Sequence, residues 1–507
     1  MLQRRSARVV LAVSLFVAVA SASGAQVLDV MGTVAPADFA TFIAPQTYSD
    51  WGNEPFIAVN PSNTNNILIS GFGYGSPNGM LYYSTNGGTS FNLRFPMTNP
   101  PAQGNNSAPN DQTYVYDNAG VLHGAVLTGN GNVYHAQTTD PNLDGKPGRT
   151  PNPWTWTARA NQTALGTSDQ PWLAVGGGIV FVAYDGFNSS FTAAEIRVAM
   201  STDNGATFTA LNDLAASRGG LLGLTTNPGT RIAADQNGKC YAVFGLGTAS
   251  LGGGVSHVVY RLNRYSSGGS WDYTTTNGNP GGLLIDEGDS TQLGNGPKFG
   301  GINEQRGNMT AIATDKTGAH VYVIYGKKDA TGTDRLYLAE FHLDGTGNLV
   351  RRAGSIVFSP VGQMAVLPSV AVADNGALAV EYQTYDALTG HFLVHYATSV
   401  DGGMTFTDST IYDYTSPGLP NTNEFPDGTR MLGDYEFLQA LGDNFYGTFP
   451  GRGDTNAGRI NDTGMIVPFF FTRGAPSTQS SVPEPGPAVL ALGLLVSAGS
   501  LIRRRRS

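Results

Sequence analysis

The sequence predicts an all-β fold: a β-propeller of four-stranded blades, seven blades favoured and six the alternative. Three observations predict it. Apolar segments of one shape recur, most about 60 residues apart, and self-similarity at a fixed period marks a repeat architecture. Several of these segments run into a Gly-containing turn and a second β-rich run, which is a hairpin signal. An octet, Ser-x-Asp/Asn-x-Gly-x-Ser/Thr-Phe, occurs three times at one offset from the segments.

Composition agrees. Of 507 residues only 13% are charged and 67 are Gly. That mixture suits short strands joined by tight turns better than long helices. A net charge of -9 argues against nucleic acid, since phosphate binding needs a basic face. The single Cys240 excludes an internal disulfide framework. Its apolar surroundings, Lys239-Cys-Tyr-Ala-Val-Phe244, suit a buried, inert thiol.

The chain opens with Arg4, Arg5 and Arg8, the apolar run 9–20 and then small residues. This is the pattern of a secretory signal peptide over 1–25, cut by signal peptidase after Ala25, with Ala22 as the alternative site. The propeller is expected over 26–475. Its first strands are expected at Pro55–Val59, Thr113–Tyr116, Pro171–Val175, Arg231–Asp235, Met309–Ala313, Pro368–Val372 and Arg430–Gly433. Their small residues, Ala58, Ala174, Ala233 and Ala371, fit the innermost position, where strands crowd a central channel. The gap before Met309 is wider than the rest. The last unit supplies only three strands, so its outer strand is expected from the N-terminal segment around 35–45. Such closure removes exposed sheet edges.

The octets fix the register. Ser84 follows Pro55 by 29 residues, Ser201 follows Pro171 by 30 and Ser399 follows Pro368 by 31. Each therefore lies between the third and fourth strands of its blade. Asn86, Asp203 and Asp401 are expected to accept backbone N–H groups across a tight turn. Gly88, Gly205 and Gly403 are expected at positive φ, and Phe91, Phe208 and Phe406 between neighbouring sheets. The octets resemble the Asp-box, or BNR, repeats of sialidase-like propellers. In that family the boxes are structural, which points away from them for chemistry.

Charged residues begin several first strands: Glu54, Asp111, Asp169, Arg231, Arg306 and Arg430. In this register they converge on one rim, across the ring from the octets, and could bind a polar or carboxylated ligand. A ring of ion pairs that only closes the channel is the alternative. The sialidase resemblance implies three arginines on a substrate carboxylate, a Tyr–Glu nucleophile pair and an acidic acid/base. Arg231, Arg306 and Arg430 could imitate the triad, with Tyr435 close by. The family's first arginine, in a Phe/Tyr-Arg-Ile-Pro motif, is absent: Asn53-Glu-Pro-Phe56 stands there, and Leu93-Arg-Phe-Pro96 follows the box instead. The sequence therefore favours a non-catalytic surface propeller for a glycan or protein partner, with a sialidase-like glycoside hydrolase as the alternative.

Asp140-Pro-Asn-Leu-Asp-Gly145 matches half of a Ca²⁺ loop, with Asp140, Asn142 and Asp144 as ligands. The Glu that should close such a loop is missing. His391 and His395 share a predicted strand about 13 Å apart along it and cannot chelate one ion. No Cys/His zinc spacing, P-loop or Gly-x-Ser-x-Gly elbow is present.

At the C-terminus a Ser/Pro-rich linker, 476–487, runs into Pro483-Glu484-Pro485, an apolar run 488–502 and the arginine cluster 503–506. As a helix the run covers about 22 Å, short of a bilayer core. The order of parts over 482–507 resembles the PEP-CTERM sorting signal of Gram-negative bacteria. That resemblance implies transient anchoring in the inner membrane, cutting by an exosortase, and delivery to the cell surface or extracellular matrix.

Overall fold

The computed structural model describes residues 30–33, 53–72, 80–94, 109–141, 154–161, 166–188, 194–212, 214–217, 230–268, 270–273, 281–291, 298–301, 303, 307, 309–413, 432–452 and 466–476. These form seven antiparallel sheets, each one blade of a closed ring. The inner strands, in order, are Asn53–Val59, Pro109–Tyr116, Thr167–Gly176, Arg231–Ala234, Thr310–Thr314, Met364–Val372 and Phe437–Leu441. Each of the first six blades then runs outward in chain order. In blades 3, 4 and 5 the outer edge is made of two pieces paired to the same third strand, both short in blades 3 and 5, whereas in blade 4 one is the nine-residue strand Leu283–Thr291.

Six of the seven expected inner strands are present. The seventh is not at Arg430–Gly433. Leu432 and Gly433 form no strand, because other partners take their backbone groups. Asn303 accepts from Leu432 N–H and donates to Gly433 C=O, and Glu54 N–H donates to Leu432 C=O. The inner strand follows at Phe437–Leu441, which pairs with Asn444–Arg452. The ring closes through the N-terminal part of the chain, but with Val30–Thr33, which pairs with Ile466–Gly474. The segment 35–45 lies outside the described residues, as do the expected signal peptide (1–25) and the whole C-terminal sorting signal. The wide gap before Met309 is filled by blade 4, whose second and third strands, Cys240–Gly252 and Val255–Ser267, are 13 residues each.

Alternate faces of each blade pack on its two neighbours. Phe181 and Ile196 of blade 3 meet Cys240 and Phe244 of blade 4 in one apolar seam, and Tyr260 of blade 4 meets Tyr325 of blade 5 in another. Cys240 is fully buried, and burial pushes its thiol well above the ordinary range. Three of the four expected small residues line the axis, whereas Ala58 is buried in the seam between blades 1 and 2. Ala174, Ala233 and Ala371 face a channel cavity of about 210 Å³.

The octets sit between third and fourth strands as their register requires. In each, the Ser hydroxyl donates to the Asp or Asn carbonyl-type oxygen, at 2.8, 2.7 and 2.7 Å, and accepts the Gly N–H at 2.9, 2.8 and 2.9 Å. The three Gly residues have φ of +86°, +83° and +79°. Phe91 packs edge-on to Phe470, Phe208 against His135, and Phe406 against Phe358.

Candidate functional site at the long-loop mouth

The two mouths of the channel are unlike. On the octet side, first and second strands are joined by tight turns such as Asp117–Gly120, Asp235–Gly238 and Asp315–Gly318. The aspartates of these turns accept neighbouring backbone N–H groups and hold the turns shut. Inner strands begin at the other mouth, and the chain between one blade's last strand and the next inner strand is long at 95–108, 218–230, 292–309 and 414–436, most of which lies outside the described residues. Loops on one end of a rigid scaffold are where binding residues concentrate.

At this mouth the structure assembles much of the charged rim. Arg231 enters from blade 4 and is buried. Its guanidinium lies 4.1 Å above the ring centre of Trp172 from blade 3 and 5.8 Å from that of Tyr435, which precedes blade 7. Its Nη1 donates to Gln170 Oε1 and to Thr230 C=O. Gln170 in turn donates to Asp434, and Asp434 N–H donates to Glu54 Oε1 from blade 1. Asp111 of blade 2 is close as well: burial first, then the charges of Asp111 and Glu54, push the Tyr435 hydroxyl well above its usual range. Glu54, Asp111, Arg231 and Tyr435 thus converge from four parts of the ring. Asp169 is half-buried at the same mouth and accepts the N–H of Gln170. Arg306 and Arg430 lie outside the described residues.

The backbone explains how these side chains reach the axis. Glu54, Gln170 and Leu367 all have positive φ, +51°, +46° and +54°. Each stands before a proline, at a β-bulge in its inner strand. Non-glycine residues in this region cost about 1–3 kcal/mol and cluster at functional sites. The bulge turns the second residue on, Phe56, Trp172 or Ser369, toward the mouth. Phe56 stacks on Phe437 at 3.7 Å and meets Trp172 edge-on at 5.2 Å, making an aromatic collar over the channel. The recurring X-Pro at the start of inner strands was the readable signal for it.

Sequence reasoning missed the most unusual pair. Glu381, on the second strand of blade 6, and Glu436, beside Tyr435, are both essentially fully buried. Gln383 donates to one Glu436 oxygen at 2.8 Å. Among the described residues the other Glu436 oxygen and both Glu381 oxygens have no hydrogen-bond partner. Burial raises both carboxyls well above the ordinary range, and the Glu436 charge raises Glu381 further. Two carboxyls sharing one dry site cannot both ionise. A Glu inside the apolar run Leu378-Ala-Val-Glu-Tyr382 was the only sign of this in the sequence.

The Ca²⁺ loop is not assembled from described residues. Asp140 ends blade 2's third strand, exposed, with its N–H on Thr138 Oγ1, and Asn142 and Asp144 lie outside the described residues. Among the described residues no group of three or more His, Cys, Asp or Glu is placed to hold a metal. His391 pairs with Asp413, while His395 lies between Asp408 and Thr384.

No family model matches the chain, and no curated protein matches it. Solved structures of propeller enzymes are similar at low identity. The polysaccharide lyase Uly1 has a TM-score of 0.46 at 10% identity, covering 88% of this chain and 97% of that one. A PL25 ulvan lyase bound to -[GlcA(1-4)Rha3S]- has 0.44 at 11%, covering 86% and 97%. A Fusarium graminearum α-L-arabinofuranosidase, Arb93A, has 0.39 at 14%, covering 74% and 96%. The functional assignment rests on this chain's own residues.

Proposed function

We propose that this chain is an exported propeller that binds a polar glycan at the long-loop mouth and acts at the cell surface or in the extracellular matrix. The observation that carries the reading is the convergence of Arg231, Trp172 and Tyr435 with Glu54 and Asp111 at one mouth of the channel. A guanidinium on an aromatic face, with carboxylates beside it to accept hydroxyl protons, suits a hydroxyl-rich sugar. Export rests on the arginine-led apolar run at the N-terminus. Surface delivery rests on Pro483-Glu484-Pro485, the apolar run and the arginine cluster, with signal peptidase and an exosortase as processing partners.

A second reading, a glycoside hydrolase, is favoured by one observation. A carboxyl that burial raises well above its ordinary range, Glu436, stands beside Tyr435, and a raised carboxyl is what a general acid needs. One experiment separates the two. The purified chain is applied to a glycan array and assayed with fluorogenic glycosides. Binding without turnover, weakened at least tenfold by Arg231→Lys, supports the binding reading, since Lys keeps the charge but loses the planar fork. Turnover abolished by Glu436→Gln overturns it in favour of the hydrolase. Neither binding nor turnover removes both.

A further inference from the structure

We propose that His320 and His342 form a cross-strand chelate for a transition-metal ion on the octet side of blade 5, away from the glycan mouth. The two residues are direct partners on antiparallel strands, His320–Lys328 and Asp334–Leu343. Side chains of such partners leave the sheet on one face with Cβ atoms about 4.5–5.5 Å apart. Their ring centres are 6.5 Å apart and inclined by 42°. Both side chains are close to half exposed, at 49% and 42%.

What makes the pair a site is the carboxylate beneath it. Glu340, two residues before His342 and on the same face, is only 5% exposed. One of its oxygens takes His320 Nδ1 at 2.9 Å, and the other lies 3.6 Å from His342 Nδ1. Arg352 Nε, at 3.3 Å from that second oxygen, steadies the carboxylate. Metal-bound histidines characteristically give their second ring nitrogen to a carboxylate, which fixes the tautomer and makes the free nitrogen more basic. Here that arrangement holds Nδ1 of His320, while His342 Nδ1 faces the same carboxylate at ion-pair distance. Among the described residues no hydrogen bond or ion pair engages either Nε2. Two imidazole nitrogens bound at about 2.0–2.1 Å bring ring centres to roughly 5–6 Å, so a small side-chain rotation of two exposed rings closes the chelate. Water would complete the shell. Imidazole donors select Zn²⁺, Ni²⁺ or Cu²⁺ over Mg²⁺ and Ca²⁺. The buried Glu340, balanced by Arg352, and Asp315 beside His320 leave the locality without excess positive charge.

The test uses the untagged full chain and Ni²⁺ or Zn²⁺ alone. One equivalent should bind by calorimetry, and the melting temperature should rise with metal concentration, as ligand binding to the native state requires. Mg²⁺ and Ca²⁺ should do neither. His320→Ala and His342→Ala should each lower affinity at least tenfold. In the wild-type chain, Zn²⁺ should protect these two histidines from diethylpyrocarbonate and leave His257 and His391 reactive. That measurement does not depend on any variant folding. Absence of binding at millimolar metal, or binding and protection that survive both substitutions, would overturn the proposal.

Discussion

The serine that opens each octet does two jobs with one hydroxyl. It donates to the Asp or Asn two residues on and accepts the N–H of a glycine four residues on, inside a turn that burial keeps from water. Bonds to the carboxylate have a visible electrostatic effect. The Thr207 hydroxyl and N–H, with Ser201, hold Asp203 at about 2. Burial works against Asp401, but Thr405 and Ser399 hold it too at about 2. Replacing Ser201 by Ala strands a buried N–H, which costs about 1–3 kcal/mol. Urea unfolding of Ser201→Ala should show that loss, while the glycan affinity proposed for the opposite mouth stays unchanged. Altered affinity would mean that the octets are coupled to the site. Gly205→Ala should cost more, because a Cβ there would lie 2.1 Å from His135 at a φ of +83°.

At the scale of elements, most of the ring was legible because its signals are local. Apolar runs, Asn-Gly and Asp-x-x-Gly turns and the octet offset all act within a few residues, and six inner strands followed from them. Blade 7 was misread because its strand is announced by Phe437–Leu441 alone, while Arg430–Gly433 imitates the shape of the others. What decides between them, Asn303 and Glu54 reaching Leu432 and Gly433, is contact over more than a hundred residues. The same limit hid Glu381 with Glu436, and His320 with His342. The first pair is made by the packing of blade 6 on blade 7 and the second by sheet register, and spacing in the chain expresses neither. The closing strand is testable as an element. Without Val30–Thr33 the outer edge of Ile466–Gly474 loses its ladder, and an open edge recruits other chains. A chain beginning at residue 34 should be less stable than one beginning at residue 26, by on the order of 2–4 kcal/mol for the lost bonds. It should also run larger on size-exclusion chromatography. Equal melting curves would show that the ring does not depend on this strand.

For the whole molecule, buried titratable groups set a window of pH. The unfolded glutamates ionise near 4.5, whereas the folded chain holds Glu381 and Glu436 protonated to higher pH. From about 4.5 upward the folded state therefore binds more protons than the unfolded one. Stability then falls as pH rises toward the folded values, by about 1.4 kcal/mol for each tenfold gain in proton affinity. The buried pair His123 and His135, 3.0 Å apart, acts in the other direction. Burial and the neighbouring His123 push His135 down to about 3, while the unfolded imidazole takes its proton near 6.5. Acidification through that interval favours the unfolded chain. The octet carboxylates add a further loss as pH falls from 3.8 toward 2. The two main slopes oppose each other between about 4.5 and 6.5, so the melting temperature should be greatest in mildly acidic buffer and decline on both sides. Glu381→Gln separates the contributions. It keeps the shape and the hydrogen-bonding capacity but removes one carboxyl, leaving Glu436 no charged neighbour to share a proton with. The variant should melt higher than the parent at pH 8 and match it at pH 4, where both glutamates are protonated in either state. If the alkaline decline persists unchanged in the variant, the seam between blades 6 and 7 is not what limits the ring at high pH.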